Sequence, residues 1–309
     1  MFKSPLDLGV DRLQEALARR FLQPLLPAIE ALFLELRAET DADLGARAQP
    51  IYGKPYPLGF CLEITEDVFK RLIVRTARPR SPAERAIKTF LKQGGGGRRV
   101  WGVLRERYFQ NALQLGSLYI DVANDTVDVN KPKVEILPIL ESGFVLVRDG
   151  AHFATIAERY WNVRMYANTA VPSLAPLLPF IVVDGKGRTE MQTRMLPMFQ
   201  LLSRDGFAGA ERWLRDGPPP PPEVVRAIRG GCPDDLLALD PDLDVEAAVA
   251  ACRRLRESRG NLDAAIEGMR AMARRTRVGL VVSNEPTFDG MGDPALNTLA
   301  MTGIMKASD

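Results

Sequence analysis

The chain has 309 residues, of which 46% are hydrophobic and 26% charged, and 41 basic against 39 acidic residues give a net charge of +2. This composition is typical of a globular protein, and the nearly balanced charge excludes a general polyanion binder and an acidic-tail protein. The single histidine and the three cysteines, with no Cys-x-x-Cys pair, exclude two-histidine metal motifs, structural zinc sites and iron–sulfur clusters. We therefore expect no cofactor and assign no metal site.

The sequence carries no predicted targeting or membrane segment. Asp7 and Asp11 lie where a signal peptide would be apolar, and no apolar run approaches the ~20 residues of a membrane helix. The odd number of widely spaced cysteines indicates reduced thiols, and we expect a soluble cytoplasmic protein without membrane contact. The 32 arginines against 9 lysines are typical of a GC-rich bacterial genome.

The first ninety residues are predicted to be mainly helical. Apolar residues recur at helical spacing through residues 9–48, with a break at Pro24 and Pro27. A loop follows over residues 49–60, and two further helices are predicted over residues 61–76 and 82–93.

The middle of the chain changes to a strand pattern. Strands rich in Val, Ile and Tyr are predicted over residues 118–126, 133–139, 161–167 and 179–184. Asp149-Gly150 lies between Phe144–Arg148 and Ala151–Ile156, which predicts a hairpin in which Val147 pairs with His152. We expect these segments to form a mostly antiparallel sheet over about residues 99–185.

The last third is predicted to be helical again. Thr189 and Gln192 have the spacing of a capping box, and Asp244 and Asn261 precede two later helices. Residues 278–282 are predicted to form a lone strand. Five prolines at residues 218–222 cannot continue a helix, and indicate an extended linker.

The fold class is therefore predicted to be α+β, with N-terminal helices, a central mostly antiparallel sheet and a helical C-terminal part. The predicted domains are an α+β main domain over residues 1–216, with its helices over 9–93, and a mainly helical unit over residues 223–309. The proline linker, residues 217–222, is predicted to separate them.

Cys61 is the candidate nucleophile. It follows a Gly- and Pro-rich loop and begins a predicted helix, whose free N–H groups favour a thiolate. His152 is the candidate base, and Asp184 or Asp121 is expected to orient its imidazole. Together with Cys61, these residues predict an intracellular cysteine hydrolase or acyl transferase that acts on a small-molecule or peptide substrate. The alternative is packing, because Cys61 shares an apolar helix face and His152 an apolar strand face.

Asp121 and Asp125 form a second candidate. In a continuous strand both carboxylates lie on one face, where they can bind Mg²⁺ or transfer protons. The favoured alternative is that the strand ends at Val122 and that Asn124-Asp125 make a turn.

A basic segment is the third candidate. Residues 70–107 contain twelve basic and two acidic residues, a charge of +10, which leaves −8 for the rest of the chain. This asymmetry predicts a non-catalytic binding or adaptor protein for an acidic partner protein or polyanion. The alternative is a solvated helix surface whose acidic complement lies elsewhere in the fold. Aromatic residues are sparse in the segment, so no stacking platform is expected.

The candidate ligand-binding residues are Tyr56, Tyr108, Gln110, Asn111, Arg98 and Arg99.

Overall fold

The computed structural model describes residues 8–50, 53–193, 196–258 and 262–280. These residues divide into two compact units, 8–146 and 147–280. Each unit combines helices with a mostly antiparallel sheet, so the predicted α+β class with helices at both ends is confirmed.

The helices of the first unit agree with the predicted ones. They are α1 (Arg12–Phe21), α2 (Leu26–Gly45), α3 (Cys61–Ala77) and α4 (Pro82–Lys92). A short 3-10 turn over Gln23–Leu25 contains Pro24 and separates α1 from α2. Ser81 begins α4 in a capping box, in which Glu84 accepts from the Ser81 backbone N–H.

The first sheet contains β1 (Gly97–Leu104), β2 (Tyr108–Leu115), β3 (Leu118–Asp121), β4 (Glu135–Pro138) and β5 (Phe144–Val145). Its order is β4-β3-β2-β1-β5, and every pair is antiparallel. Alternate residues such as Leu113 and Ile120 join the main core with the four helices. The opposite face holds a smaller cluster that contains Tyr119 and Phe144.

The second unit contains six helices and four strands in its described part. The helices are α5 (Gly150–Trp161), α6 (Leu196–Asp216), α7 (Pro222–Arg229), α8 (Asp234–Leu237), α9 (Val245–Glu257) and α10 (Leu262–Arg274). The α6 span is interrupted by a kink at residues 204–207, whose backbone is not helical. The strands are β6 (Arg164–Ala167), β7 (Phe180–Val183), β8 (Thr189–Gln192) and β9 (Gly279–Leu280), in the order β6-β7-β8-β9. In the part of the chain that the structure describes, no helix is long and apolar enough to cross a membrane.

The hairpin predicted at Asp149-Gly150 is wrong. Phe144–Val145 is a short strand, but Gly150 begins α5, and the Asp149 carboxylate accepts from the His152 N–H at 2.8 Å. Asp is a preferred helix N-cap as well as a turn residue, so the dipeptide fits both structures. The helical spacing of the buried residues Phe153, Ile156 and Ala157 is consistent with the helix.

The helix predicted from Thr189 is also wrong at its start. Thr189–Gln192 is strand β8, which pairs antiparallel with Phe180–Val183 and parallel with Gly279–Leu280. Pairing with two distant strands outweighs the local capping-box pattern. The strand predicted over 278–282 is therefore part of a sheet rather than alone, while residues 281–282 and Asn261 lie outside the described residues.

Along the chain, the first compact unit ends at residue 146 and the second begins at residue 147. The linker was predicted at a different place, residues 217–222. The proline run lies within the second unit, where the Pro218 carbonyl accepts from the Ala167 N–H at 2.8 Å. Pro222 then opens α7, because proline is well suited to the first turn of a helix.

Candidate functional site

Cys61 is the first residue of α3 and faces strand β2. Its Sγ accepts a hydrogen bond from Asn111 Nδ2 at 3.3 Å, and Thr65 donates to the Asn111 carbonyl at 3.2 Å. Burial raises the pKa of the Cys61 thiol to about 11, and the hydrogen bond from Asn111 only partly opposes this effect. The thiol is therefore protonated at neutral pH, which is unfavourable for a nucleophile.

His152 lies in the second unit, on the first turn of α5 rather than on a strand. Its buried imidazole accepts a hydrogen bond at Nδ1 from the Arg148 N–H at 3.2 Å. His152 thus takes part in the N-terminal turn of α5. Cys61 belongs to the first unit, so the pairing of the two residues stays a prediction.

Asp184 closes the turn between β7 and β8. Its carboxylate accepts from the backbone N–H groups of Lys186 and Arg188 at 2.8 and 2.9 Å, and from Arg188 Nε at 2.6 Å. These bonds, led by the Arg188 side chain, lower the pKa of Asp184. The carboxylate therefore stabilises its own exposed turn, and these contacts give no support to a role in orienting His152.

Asp121 is fully buried at the end of β3. Its carboxylate accepts from Gln110 Nε2 at 2.7 Å, the Tyr119 hydroxyl at 3.0 Å and the Ala123 N–H at 2.9 Å. Burial raises the pKa of Asp121 to about 6, although these three uncharged donors oppose the increase. Asp121 thus titrates near pH 6, inside the sheet rather than beside a ligand.

Asp125 does not share a strand face with Asp121. The strand ends at Asp121, and Asp125 lies in a 3-10 turn, Asn124–Thr126, so the turn alternative is confirmed. Arg37 holds both Asp125 oxygens, with Nη1 at 2.7 Å and Nη2 at 3.0 Å. This contact gives Asp125 a structural role.

Three of the predicted ligand-binding residues, Tyr108, Gln110 and Asn111, belong to the central strand β2. Gln110 and Asn111 are buried on opposite faces of the sheet, where Gln110 contacts Asp121 and Asn111 contacts Cys61. The pairing of β2 with β1 and β3 buries both amides, although they were predicted to bind a ligand.

The two predicted tyrosines make contacts within the first unit. The Tyr56 hydroxyl donates to Asp41, and the Tyr108 hydroxyl accepts from Lys131 Nζ at 2.7 Å. Both tyrosines are half-buried. Their hydroxyls therefore connect elements of the fold, which gives no support to a ligand-binding role.

Arg98 and Arg99 are on β1, and their side chains are mostly buried. Arg98 Nε donates to Gln114 Oε1 at 3.0 Å, whereas Arg99 Nη1 lies 4.0 Å from Glu66 Oε2. Burial lowers the pKa of Arg99, and the charge of Glu66 opposes this shift. The two arginines are therefore poor candidates for a surface that receives an acidic ligand.

Much of the basic segment is neutralised by carboxylates from other parts of the first unit. Arg71 contacts Asp67, Glu39 and Asp43, and Arg75 contacts Glu35, Glu39 and Glu84. Most of these acids belong to α2. The alternative explanation, in which acidic residues elsewhere in the fold neutralise the basic helix surface, therefore holds for Arg71 and Arg75 of α3. Arg105 and Lys70 have partners too, in Glu135 and Glu66.

Four cations around the connection from α3 to α4 are different. We call this group the α3–α4 corner, and its members are Arg78, Arg80, Arg85 and Lys88. None of them forms an ion pair with a carboxylate in the described residues. Lys88 Nζ donates to the Ala77 carbonyl at 2.9 Å, and Arg85 Nη1 donates to the Arg80 carbonyl at 3.0 Å. These two bonds bring the start of α4 against the end of α3.

Iodoacetamide should label Cys61 slowly at pH 7. Because burial raises the pKa of this thiol to about 11, its labelling rate should rise about tenfold per pH unit between pH 7 and pH 10. Cys232 is a matched control, since it is also half-buried and burial raises its pKa to about 11. Mass spectrometry of tryptic peptides measures both rates. Fast labelling of Cys61 alone at pH 7, slowed by His152→Ala, would instead support the catalytic pair.

The described residues place no group of three or more His, Cys, Asp or Glu side chains where it can hold a metal ion. Two candidate sites of different kinds remain: the thiol of Cys61 and the exposed α3–α4 corner. No protein family, curated protein or solved structure matches this chain.

Proposed function

We propose that this chain is a non-catalytic binding protein that holds an acidic ligand at the α3–α4 corner. The observation that supports this function is the difference between two parts of one basic segment. Arg71 and Arg75 are surrounded by carboxylates, whereas the four cations of the corner have no carboxylate partner in the described residues.

The corner concentrates positive charge in a short stretch of chain. Arg78, Arg80 and Arg85 are exposed, and Lys88 is half-buried. The nearby acid, Glu84, is buried, accepts from the backbone N–H groups of Arg80 and Ser81, and forms its ion pair with Arg75 rather than with a side chain of the corner. An anionic ligand would relieve the repulsion among the four cations and gain charge-assisted hydrogen bonds from them.

The cysteine-enzyme alternative has weaker support. Burial raises the pKa of Cys61 to about 11, and its hydrogen-bond partner Asn111 is an uncharged amide that cannot act as a base at neutral pH. Both features favour the alternative explanation, in which Cys61 is a packing residue rather than a nucleophile.

Charge reversal tests the proposal. The triple variant Arg78→Glu/Arg80→Glu/Arg85→Glu should bind a fluorescein-labelled decaglutamate peptide at least about tenfold more weakly than the unmodified protein does, and with a smaller salt dependence. Fluorescence anisotropy at two salt concentrations measures both quantities.

The control for this experiment changes the net charge equally at another place. Arg47, Lys54 and Arg107 are exposed cations of the first unit that form no ion pair with described residues. The variant Arg47→Glu/Lys54→Glu/Arg107→Glu should keep most of the affinity. Equal losses in the two triple variants would show that only net charge matters, and would contradict the corner as the site.

A further inference from the structure

We propose that the ligand of the α3–α4 corner is an acidic protein segment with an apolar residue that docks on Val74. This inference rests on the function proposed above and names the class of its partner. It follows from what surrounds the corner on α3.

Val74 is the most exposed large apolar residue on α3, with 71% of its surface accessible. It lies in the last turn of α3, four residues before Arg78, which directly follows the helix, so Val74 is close to the corner along the chain. An exposed valine alone is ordinary. Val74 lies beside four cations that have no carboxylate partner among the described residues. It adds an apolar contact that a partner can bury together with its own carboxylates.

Beside the flank of α3 that faces α2, exposed carboxylates of α2 carry negative charge. Glu35 and Asp43 have 57% and 59% of their side chains exposed while they contact Arg75 and Arg71. A long polyphosphate chain extending from the corner along this flank would meet those carboxylates and be repelled. A short acidic protein segment can place its negative charge at the corner alone, so the mixed charge favours a protein ligand.

The aromatic residues of this region are also unsuited to nucleic acid. Phe69 and Phe90, which belong to α3 and α4, are buried in the core and cannot stack on bases. Sequence-tolerant binding of single strands uses exposed aromatic side chains together with a basic groove. The corner therefore offers cations and one aliphatic side chain, which match an acidic peptide with an apolar residue.

The test compares three fluorescein-labelled probes by anisotropy: decaglutamate, a decapeptide in which leucine replaces every fourth glutamate, and a 20-nucleotide oligo-dT. The leucine-containing peptide should bind the unmodified protein about fivefold or more tightly than decaglutamate does. Val74→Ser should remove this advantage and leave decaglutamate binding unchanged. Val129→Ser is the control, because Val129 is exposed to a similar extent, 57%, in a loop of the same unit.

Two results would overturn the inference and leave the proposed function intact. One is an unchanged preference for the leucine-containing peptide in Val74→Ser, and the other is tighter binding of oligo-dT than of either peptide. If reversal of Arg78, Arg80 and Arg85 changes the binding of none of the three probes, the proposed function fails as well.

Discussion

Arg37→Met should lower the free energy of unfolding by about 3–5 kcal/mol, which is the usual cost of breaking a buried ion pair from one side. The Arg37 side chain is fully buried on α2. It donates to Asp41 at 2.7 Å, to the Val122 carbonyl at 2.8 Å and to both oxygens of Asp125. Without the guanidinium, the buried Asp125 carboxylate loses its counter-charge, and methionine supplies no replacement donor.

Urea denaturation followed by circular dichroism measures this loss. Arg71→Met is the matched control, because Arg71 also forms ion pairs, with three carboxylates, but keeps about a quarter of its side chain exposed. Its loss should stay within about 1 kcal/mol. Adding Asp125→Asn to Arg37→Met should recover part of the stability, since the unpaired charge is then removed. A loss below about 1 kcal/mol in Arg37→Met would contradict the structural role of this network.

The helices of the first unit could be predicted from local sequence. Apolar spacing in α1 to α4 is regular, and Pro24 marks a break that the structure confirms. These signals act within a few residues of each other, so they are visible without knowledge of the fold.

Signals that fit two local structures were resolved only by distant contacts. Asp149-Gly150 suits a hairpin turn or a helix start, and the packing of α5 against α6 accompanies the helix. Thr189 and Gln192 have capping-box spacing, but they pair with β7 as strand β8. Gln110 and Asn111 were predicted to bind a ligand, but strands β1 and β3 surround them.

The candidate site was predictable only in outline. The basic segment is visible in the sequence, whereas its division into a neutralised part and the α3–α4 corner depends on which carboxylates α2 brings to α3. Arg71 and Arg75 meet Glu39 over a separation of more than thirty residues, and no local pattern predicts that contact. Cys61 was expected to be activated by its helix start, but desolvation by the surrounding core is the larger effect on its pKa.

The contribution of Asp121 to stability should fall as pH rises from about 4 to about 7. Burial raises the folded-state pKa of this carboxyl to about 6, above its ordinary value of 3.8, so the folded protein binds the proton more tightly than the unfolded chain does. The contribution of Asp121 is therefore fully present below about pH 4 and is lost as pH rises through about 6. The difference between the folded-state pKa and the ordinary value corresponds to about 3 kcal/mol in the free energy of unfolding.

Asp121→Asn isolates this effect, because asparagine has a similar shape and does not titrate. The urea midpoint of the variant should lose the Asp121-dependent decline between pH 4 and pH 7, whatever its absolute stability. Asp128→Asn is the control, since Asp128 is exposed in the loop after β3 and should leave the decline as it is. In the part of the chain that the structure describes, the Asp121 carboxylate accepts from uncharged donors, Gln110, Tyr119 and the Ala123 N–H, and no cation contacts it. An equal decline in Asp121→Asn and in the unmodified protein would place the titrating group elsewhere and contradict a desolvated Asp121.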